Sequence, residues 1–154
     1  METLIIDLAD EAATARLGRR LAALARPGDV LALHGTLGMG KSTLARAFVR
    51  ARTGEDEEVP SPTFTLVQTY QGADGEVWHL DLYRLDKPED AFELGVEDAF
   101  AEAISLIEWP ERLGRLMPRD RLEIHLSPGA GATARRAELI SRRQWDDRLK
   151  DISA

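Results

Sequence analysis

Residues 35–42 of the chain read Gly35-Thr36-Leu37-Gly38-Met39-Gly40-Lys41-Ser42. A glycine followed after four residues by Gly-Lys-Ser is the pattern of a phosphate-binding P-loop. Its glycines let backbone N–H groups turn inward around a phosphate, and the helix that follows presents its positive N-terminal end. The apolar run at 29–34 supplies a strand before the loop, and the apolar spacing over 41–52 supplies a helix after it. The stretch therefore predicts an α/β fold that binds a nucleoside triphosphate with Mg²⁺.

Within this loop, backbone and side chains have different expected roles. We expect the backbone of Gly35, Leu37, Gly38, Met39 and Gly40 to contribute to the nucleotide site. Lys41, as a solvent-facing cation, would reach the β- and γ-phosphate oxygens, and the Ser42 hydroxyl would ligate Mg²⁺.

Composition limits the alternatives. The 154 residues fit one domain, 1–154, and the absence of cysteine excludes disulfides and thiolate metal sites. A formal charge of −7 argues against direct binding to a nucleic-acid backbone. No leader-like N-terminus and no apolar run of about 18 residues is present, so we expect a soluble, cytoplasmic protein with no membrane association. Arginines that cluster after residue 111 are either a solvated surface or a partner contact.

Hydrolysis also needs an acid near the phosphates, and the sequence offers two at predicted strand ends. Glu108 follows the buried run 103–107, which is typical of a central strand. Asp81 ends a weaker run in which alternation sends His79, Asp81 and Tyr83 to one polar face. Glu108 could instead cap a helix, and His79 could be a satisfied polar residue near the core.

A third candidate lies in the segment Ser61-Pro62-Thr63-Phe64, between the P-loop helix and the next strand. Switch loops of P-loop proteins offer a hydroxyl to Mg²⁺ and the γ-phosphate from this place, and Thr63 is the natural residue. The alternative is a simple proline turn that enters a strand.

The remaining pattern predicts a P-loop NTPase-like three-layer fold, with a mostly parallel central sheet and one antiparallel hairpin. The other predicted elements are a strand at 4–8, a helix N-capped by Asp10 and running to about 25, hairpin strands at 64–71 and 76–83 joined by 72–75, a short helix at 88–95, a strand at 121–126 and a helix at 144–152.

Taken together, four motifs in this order closely resemble the TsaE (YjeE) family of small bacterial P-loop ATPases. They are the loop with Thr43 after it, Ser61-Pro62-Thr63-Phe64, His79-Leu80-Asp81-Leu82-Tyr83-Arg84, and Ile107-Glu108-Trp109. The resemblance covers nearly the whole chain, although the tail beyond about residue 127 matches no pattern.

The resemblance implies an ATPase required for threonylcarbamoyladenosine formation beside the anticodon of ANN-decoding tRNAs. Such a protein docks on the TsaD–TsaB heterodimer, meets tRNA only through that complex, and uses ATP to reset it. By this likeness Lys41, Ser42 and Thr43 would hold phosphates and metal, Thr63 would make the switch contact, and Glu108 would be the metal-side acid. Asp81 would be a catalytic or switch-coupling acid, and Trp109 would lie near the nucleotide or the partner.

Other functions remain compatible with the loop alone. A small-molecule kinase could use Arg112 and Arg115 as a lid, although no acceptor-binding insertion is apparent. A GTPase would need an Asn-Lys-x-Asp stretch, and 85–88 reads Leu-Asp-Lys-Pro, so adenine is favoured by elimination. A nucleotide-dependent interaction module without turnover is the third possibility.

Overall fold

A computed structural model describes residues 2–36, 38–63, 65–142 and 144–153. Within these ranges the strands are β1 (Thr3–Leu8), β2 (Val30–His34), β3 (Val67–Gly72), β4 (Gly75–Asp81), β5 (Ile104–Glu108), β6 (Leu122–Pro128) and β7 (Arg135–Ser141). The α-helices are α1 (Glu11–Leu24), α2 (Lys41–Thr53), α3 (Val96–Glu102) and α4 (Trp145–Ser153), and two 3₁₀ segments span Pro88–Leu94 and Pro110–Leu116.

The strands form one sheet in the order β1-β7-β6-β2-β5-β4-β3. The four central strands, β6, β2, β5 and β4, are parallel, and β3 pairs antiparallel with β4. The predicted α/β fold with a parallel centre and a β3–β4 hairpin is therefore confirmed. The hairpin of β6 and β7, whose second strand pairs antiparallel with β1, was not predicted.

Helical layers cover the two faces of the sheet. On one face α1, α2 and α4 bury Leu21, Phe48 and Trp145 in a large apolar cluster. On the other, the 3₁₀ segments and α3 form a smaller cluster that includes Leu82 and Leu113. β5 is buried along its whole length, whereas burial in β6 and β7 alternates, because their second face is less covered. These are the three predicted layers.

The helix that follows the glycine loop packs closely on α1. An added Cβ at Gly18 of α1 would lie 2.6 Å from the Leu44 carbonyl oxygen, so only glycine permits this approach. Asp10 caps α1 as predicted, since its side chain accepts from the Ala13 N–H at 2.9 Å. The close contact fixes α2 against α1.

Several element boundaries differ from prediction. The second hairpin strand ends at Asp81 rather than Tyr83, because the chain enters a turn in which the Leu85 N–H donates to the Leu82 carbonyl. The first hairpin strand begins at Val67, directly after Leu66, whose φ is 68°. Its predicted start, Phe64, lies outside the described residues. The helix predicted at 88–95 is a 3₁₀ segment, and α3, which follows it, was not predicted.

The predicted C-terminal helix is confirmed as α4, and a buried ion pair anchors it. Arg148 Nη1 lies 2.5 Å from Asp29 Oδ2, and the guanidinium lies over the Trp145 ring at 4.4 Å from its centroid. Both charged side chains are at most 6% exposed, so each needs the other. Across the residues that the structure describes, no helix combines the length and apolar character needed to cross a bilayer.

Candidate nucleotide-binding site

The glycine loop ends at the N-terminus of α2. Gly38 and Gly40 have φ values of 83° and 98°, which glycine adopts without strain. Gly40 occupies the N-cap position and has no side chain to cap the helix. The N–H groups of the first helical turn have no partners within the helix, so the loop presents donors and a positive helix end to an anion.

Lys41 is the first residue of α2. It was predicted to face solvent, but it is buried. It is 6% exposed, its Nζ lies 4.0 Å from Glu108 Oε1, and the ammonium lies 4.3 Å from the centroid of the Trp109 ring. A carboxylate and an aromatic face compensate for its loss of water. The cation is therefore held in place before any phosphate arrives.

Glu108 lies at the end of β5, where its carboxylate contacts the side chains of Lys41 and His79. His79 Nε2 lies 2.7 Å from Glu108 Oε2, and both side chains are at most 6% exposed. Since a carboxylate only accepts, Nε2 carries the proton, and Nδ1 of His79 has no hydrogen-bond partner among the described residues. His79 thus fixes one oxygen of Glu108 and leaves the other facing Lys41.

Asp81 is the direct neighbour of Glu108 across the parallel β4–β5 pair. Its Oδ2 accepts from the Thr63 hydroxyl at 3.2 Å, and its Oδ1 accepts from the Tyr83 N–H at 3.1 Å. Thr63 Oγ1 also lies 2.7 Å from the Ser61 hydroxyl. The segment predicted to act as a switch is therefore tied to the end of β4 through Asp81.

These groups surround one cavity of about 380 Å³, within the range of about 300–1,000 Å³ usual for small-molecule sites. Of the residues singled out in the sequence, the cavity is lined by Gly38, Gly40, Lys41, Ser42, Thr43, Thr63, Asp81, Glu108 and Trp109. Gly35 lines a neighbouring pocket, and Met39 packs against the apolar core. Leu37 lies outside the described residues.

Sequence reasoning missed the far wall of this cavity. Thr133 and Arg135 reach it from the β6–β7 hairpin, and Arg135 Nη2 donates to the Gly38 carbonyl at 3.1 Å. The sequence does contain a signal for this hairpin. Ala137 and Leu139 alternate with polar residues, as in a strand, and follow a Pro-Gly pair at 128–129. Glu11 and Thr14 of α1 and Ser61 were also missed, and Glu11 accepts from the Thr43 hydroxyl at 3.1 Å.

The late arginines do not act as one group. Arg121 and Arg142 both approach Glu123, whereas Arg136 pairs with Asp7. Arg135 enters the cavity, Arg112 lies over the Tyr83 ring, and Arg143 lies outside the described residues. The cluster seen in the sequence therefore separates into several local contacts.

Backbone strain lies next to the site. Among the described residues, the non-glycine residues with positive φ are Leu66, at 68°, and Trp109, at 57°. Leu66 follows the Thr63 segment and Trp109 follows Glu108. Such conformations cost of order 1 kcal/mol or more for bulky residues and concentrate at functional sites. At Trp109 the unusual turn places the ring between Lys41 and Tyr83.

The oxygen-rich wall suits a hard divalent cation. Ser42 and Thr63 offer hydroxyls, and Asp81 and Glu108 offer carboxylates, all lining the same cavity. Mg²⁺ takes such ligands together with waters and phosphate oxygens. The residues present therefore fit the metal that the loop pattern implies.

A family model described as "Threonylcarbamoyl adenosine biosynthesis protein TsaE" matches residues 8–137. The chain belongs to the TsaE family. Members named tRNA threonylcarbamoyladenosine biosynthesis protein TsaE include one from Rickettsia bellii, 38% identical over 77% of this chain and 83% of its own length. One from Haemophilus influenzae is 34% identical over 82% of this chain and 83% of its own.

A solved structure has the same fold as this TsaE-family chain. The crystal structure of YdiB from Bacillus subtilis superposes with a TM-score of 0.82 at 27% identity, covering 99% of this chain and 95% of the other. Because this likeness includes β7 and α4, the tail without a recognisable motif is part of the shared fold.

Proposed function

We propose that this chain binds ATP with Mg²⁺ at the N-terminus of α2 and hydrolyses it in support of tRNA N⁶-threonylcarbamoyladenosine formation, through a complex of TsaD and TsaB homologues. Contact with tRNA would be made only through that complex. The tRNA role comes from the names of its relatives, and the ATPase role comes from the site.

One observation carries the nucleotide assignment. A buried ammonium, Lys41, lies at an uncapped helix N-terminus and faces a cavity with a carboxylate from each of two adjacent strands. An isolated buried charge is costly, and a buried charged pair that lines a cavity is a candidate functional site. A triphosphate supplies the anion that the helix end and Lys41 both favour.

Each site residue then has a separable role. A bound Mg²⁺ would supply positive charge to offset the charge that develops on the phosphates. Ser42 and Glu108 would hold it, and His79 would keep the Glu108 carboxylate oriented. Asp81 would position the Thr63 hydroxyl, so that the 61–63 segment responds to what occupies the cavity.

The contacts of Arg135 support the proposal that a partner raises turnover. Arg135 lines the cavity, but its guanidinium also contacts the carbonyls of Ala132, Ala134 and Gly38. An arginine committed to a transferred phosphoryl group is worth about 10³–10⁵ in rate, so turnover by the chain alone should be slow. Docking on TsaD–TsaB would release Arg135, supply another cation, or order the Thr63 segment.

The test combines binding and turnover. We would measure the affinity of the chain for its TsaD–TsaB heterodimer with ADP, with a non-hydrolysable ATP analogue and without nucleotide, and steady-state ATP turnover as the heterodimer is added. The ATP analogue should raise the affinity of the chain for the heterodimer by some factor. The heterodimer should raise the affinity of the chain for the analogue by the same factor, because linkage is reciprocal.

The outcomes separate the alternatives. Equal partner affinities in all three states together with flat turnover contradict the coupled role. Phosphate transfer to an added small acceptor would indicate a kinase, and tight ATP binding with no turnover under any condition would indicate an interaction module.

A further inference from the structure

Three side chains on strands β2 and β6 bring metal-ligating atoms together away from the ATP cavity. They are His34, Glu123 and His125, and one donor atom from each lies within 4.8 Å of the others. His34 and His125 are direct neighbours across the parallel strand pair, and Glu123 precedes His125 by two residues on the same face. We call these residues the His-Glu-His group.

The group occupies the sheet face opposite to the site acids. In β6 the core-facing residues Leu122 and Ile124 point towards α1 and α2, so Glu123 and His125 point to the other face. That face of β6 is only partly covered, which leaves the His125 side chain 40% exposed and the His34 side chain 25% exposed. An ion can therefore reach the group without entering the nucleotide cavity.

Two imidazole nitrogens converge on one carboxylate oxygen. Glu123 Oε1 lies 3.2 Å from His34 Nε2 and 3.7 Å from His125 Nε2. The two rings stack with centroids 4.1 Å apart and planes 4° from parallel. His34 Nε2 is buried and has no aligned hydrogen-bond partner among the described residues, despite its short distance to Glu123. A buried polar atom left unpaired is unfavourable, and a bound cation would satisfy it.

Neighbouring charged side chains set the orientation of the Glu123 carboxylate. The other oxygen of Glu123, Oε2, faces Arg121 at 3.3 Å and Arg142 at 3.4 Å, which leaves Oε1 directed at the histidines. Glu111 Oε2 lies 3.8 Å from His34 Nδ1, beyond hydrogen-bond distance, and adds negative charge beside the ring.

We propose that the His-Glu-His group is a binding site for a borderline divalent transition-metal ion of the Zn²⁺ type. Two imidazoles and one carboxylate are a recognised zinc ligand set, with water in the remaining position. The ligand atoms of a tetrahedral ion at about 2.0–2.2 Å lie about 3.4 Å apart. The three donor atoms here lie within 4.8 Å of one another and the two rings are parallel, so both imidazoles would turn towards the ion as it binds. Imidazole nitrogen disfavours Mg²⁺, which separates this site from the nucleotide site.

The experiment uses the full untagged chain without nucleotide, titrated with Zn²⁺ in competition with a coloured chelator. The chain has three histidines, so imidazole proton resonances report the location. We expect one equivalent of Zn²⁺ per chain, and shifts of the His34 and His125 resonances but not of His79. His125→Ala and Glu123→Gln should each weaken Zn²⁺ binding at least about tenfold, since even outer-shell changes cost about 10–100-fold.

Matched controls keep the result interpretable. Glu76→Gln removes an exposed carboxylate at the other end of the sheet and should leave Zn²⁺ affinity unchanged. Far-UV circular dichroism establishes that each variant is folded, and Glu123→Gln preserves side-chain volume. Less than one equivalent bound, equal affinity in the wild type and both variants, or a shift of His79 alone would overturn the site. None of these outcomes depends on ATP hydrolysis, so they leave the proposed function untouched.

Discussion

The two walls of the nucleotide cavity are built differently. On one wall the parallel strands β4 and β5 end in Asp81 and Glu108, both about 5% exposed and bonded to His79 or Thr63. On the other, Thr133 is exposed and Arg135 is half-buried on the β6–β7 hairpin. The acids of the parallel wall are buried and bonded to neighbouring side chains, whereas the residues of the hairpin wall are more exposed to solvent. Substitutions on the parallel wall should therefore have the larger effects.

The largest expected effect is at Lys41. Lys41→Met keeps the apolar stem against Trp109 but removes the ammonium, so ATP affinity should fall roughly a hundredfold, since a charged hydrogen bond contributes about 1.5–3 kcal/mol. Calorimetric titration with ATP and Mg²⁺ measures it. Lys150→Ala, on the exposed face of α4, is the matched control. An ATP affinity equal to that of wild type in a folded Lys41→Met chain would remove the nucleotide assignment.

The next comparison is between the paired acids. Glu108→Gln should raise the Mg²⁺ concentration needed for half-maximal ATP binding roughly tenfold, because Glu108 is the expected metal-side acid and a neutral amide binds Mg²⁺ less well. Asp81→Asn should spare ATP binding and lower turnover, because it disturbs Thr63. Mg²⁺ titrations and steady-state turnover distinguish them, and each variant is the control for the other. Equal Mg²⁺ midpoints in the Glu108→Gln and Asp81→Asn variants would contradict the assignment of different roles to the two acids.

A smaller effect is expected on the hairpin wall. Arg135→Ala should weaken ATP binding by about tenfold or less, because a half-exposed guanidinium is partly screened. Arg136→Ala is its matched control, since Arg136 points to the opposite face and pairs with Asp7. If Arg135→Ala weakens binding as much as Lys41→Met, the proposed difference between the walls is wrong.

The smallest effect should come from Thr43. Its hydroxyl donates to Glu11, so Thr43→Ala should lower ATP affinity less than about fivefold, whereas Ser42→Ala should also shift the Mg²⁺ midpoint. Parallel ATP and Mg²⁺ titrations of the two variants provide the measurement. A Mg²⁺ shift for Thr43→Ala but not for Ser42→Ala would reverse these two assignments.

Much of the architecture could be predicted because local signals agreed with one another. The glycine loop lies between a strand at 30–34 and a helix at 41–53. Helix ends occur at residues whose types favour them, namely Asp10, Gly54 and Gly95. The buried run before Glu108 correctly indicated a central strand. Alternation correctly placed His79 and Asp81 on one face of β4, where Asp81 lines the cavity and His79 contacts Glu108, whereas Tyr83 lies beyond the strand and is exposed. Here periodicity and burial follow directly from residue type.

By itself, the sequence determined the family, the α/β order of the elements and the loop at which a phosphate would bind. Only the tertiary structure decided that Lys41 is buried between Glu108 and Trp109, that Arg135 completes the cavity, and that Arg148 anchors α4 through Asp29. It also decided that His34, Glu123 and His125 meet on one face. These contacts join residues far apart in the chain through strand order and register, and local periodicity carries no information about which strands become neighbours.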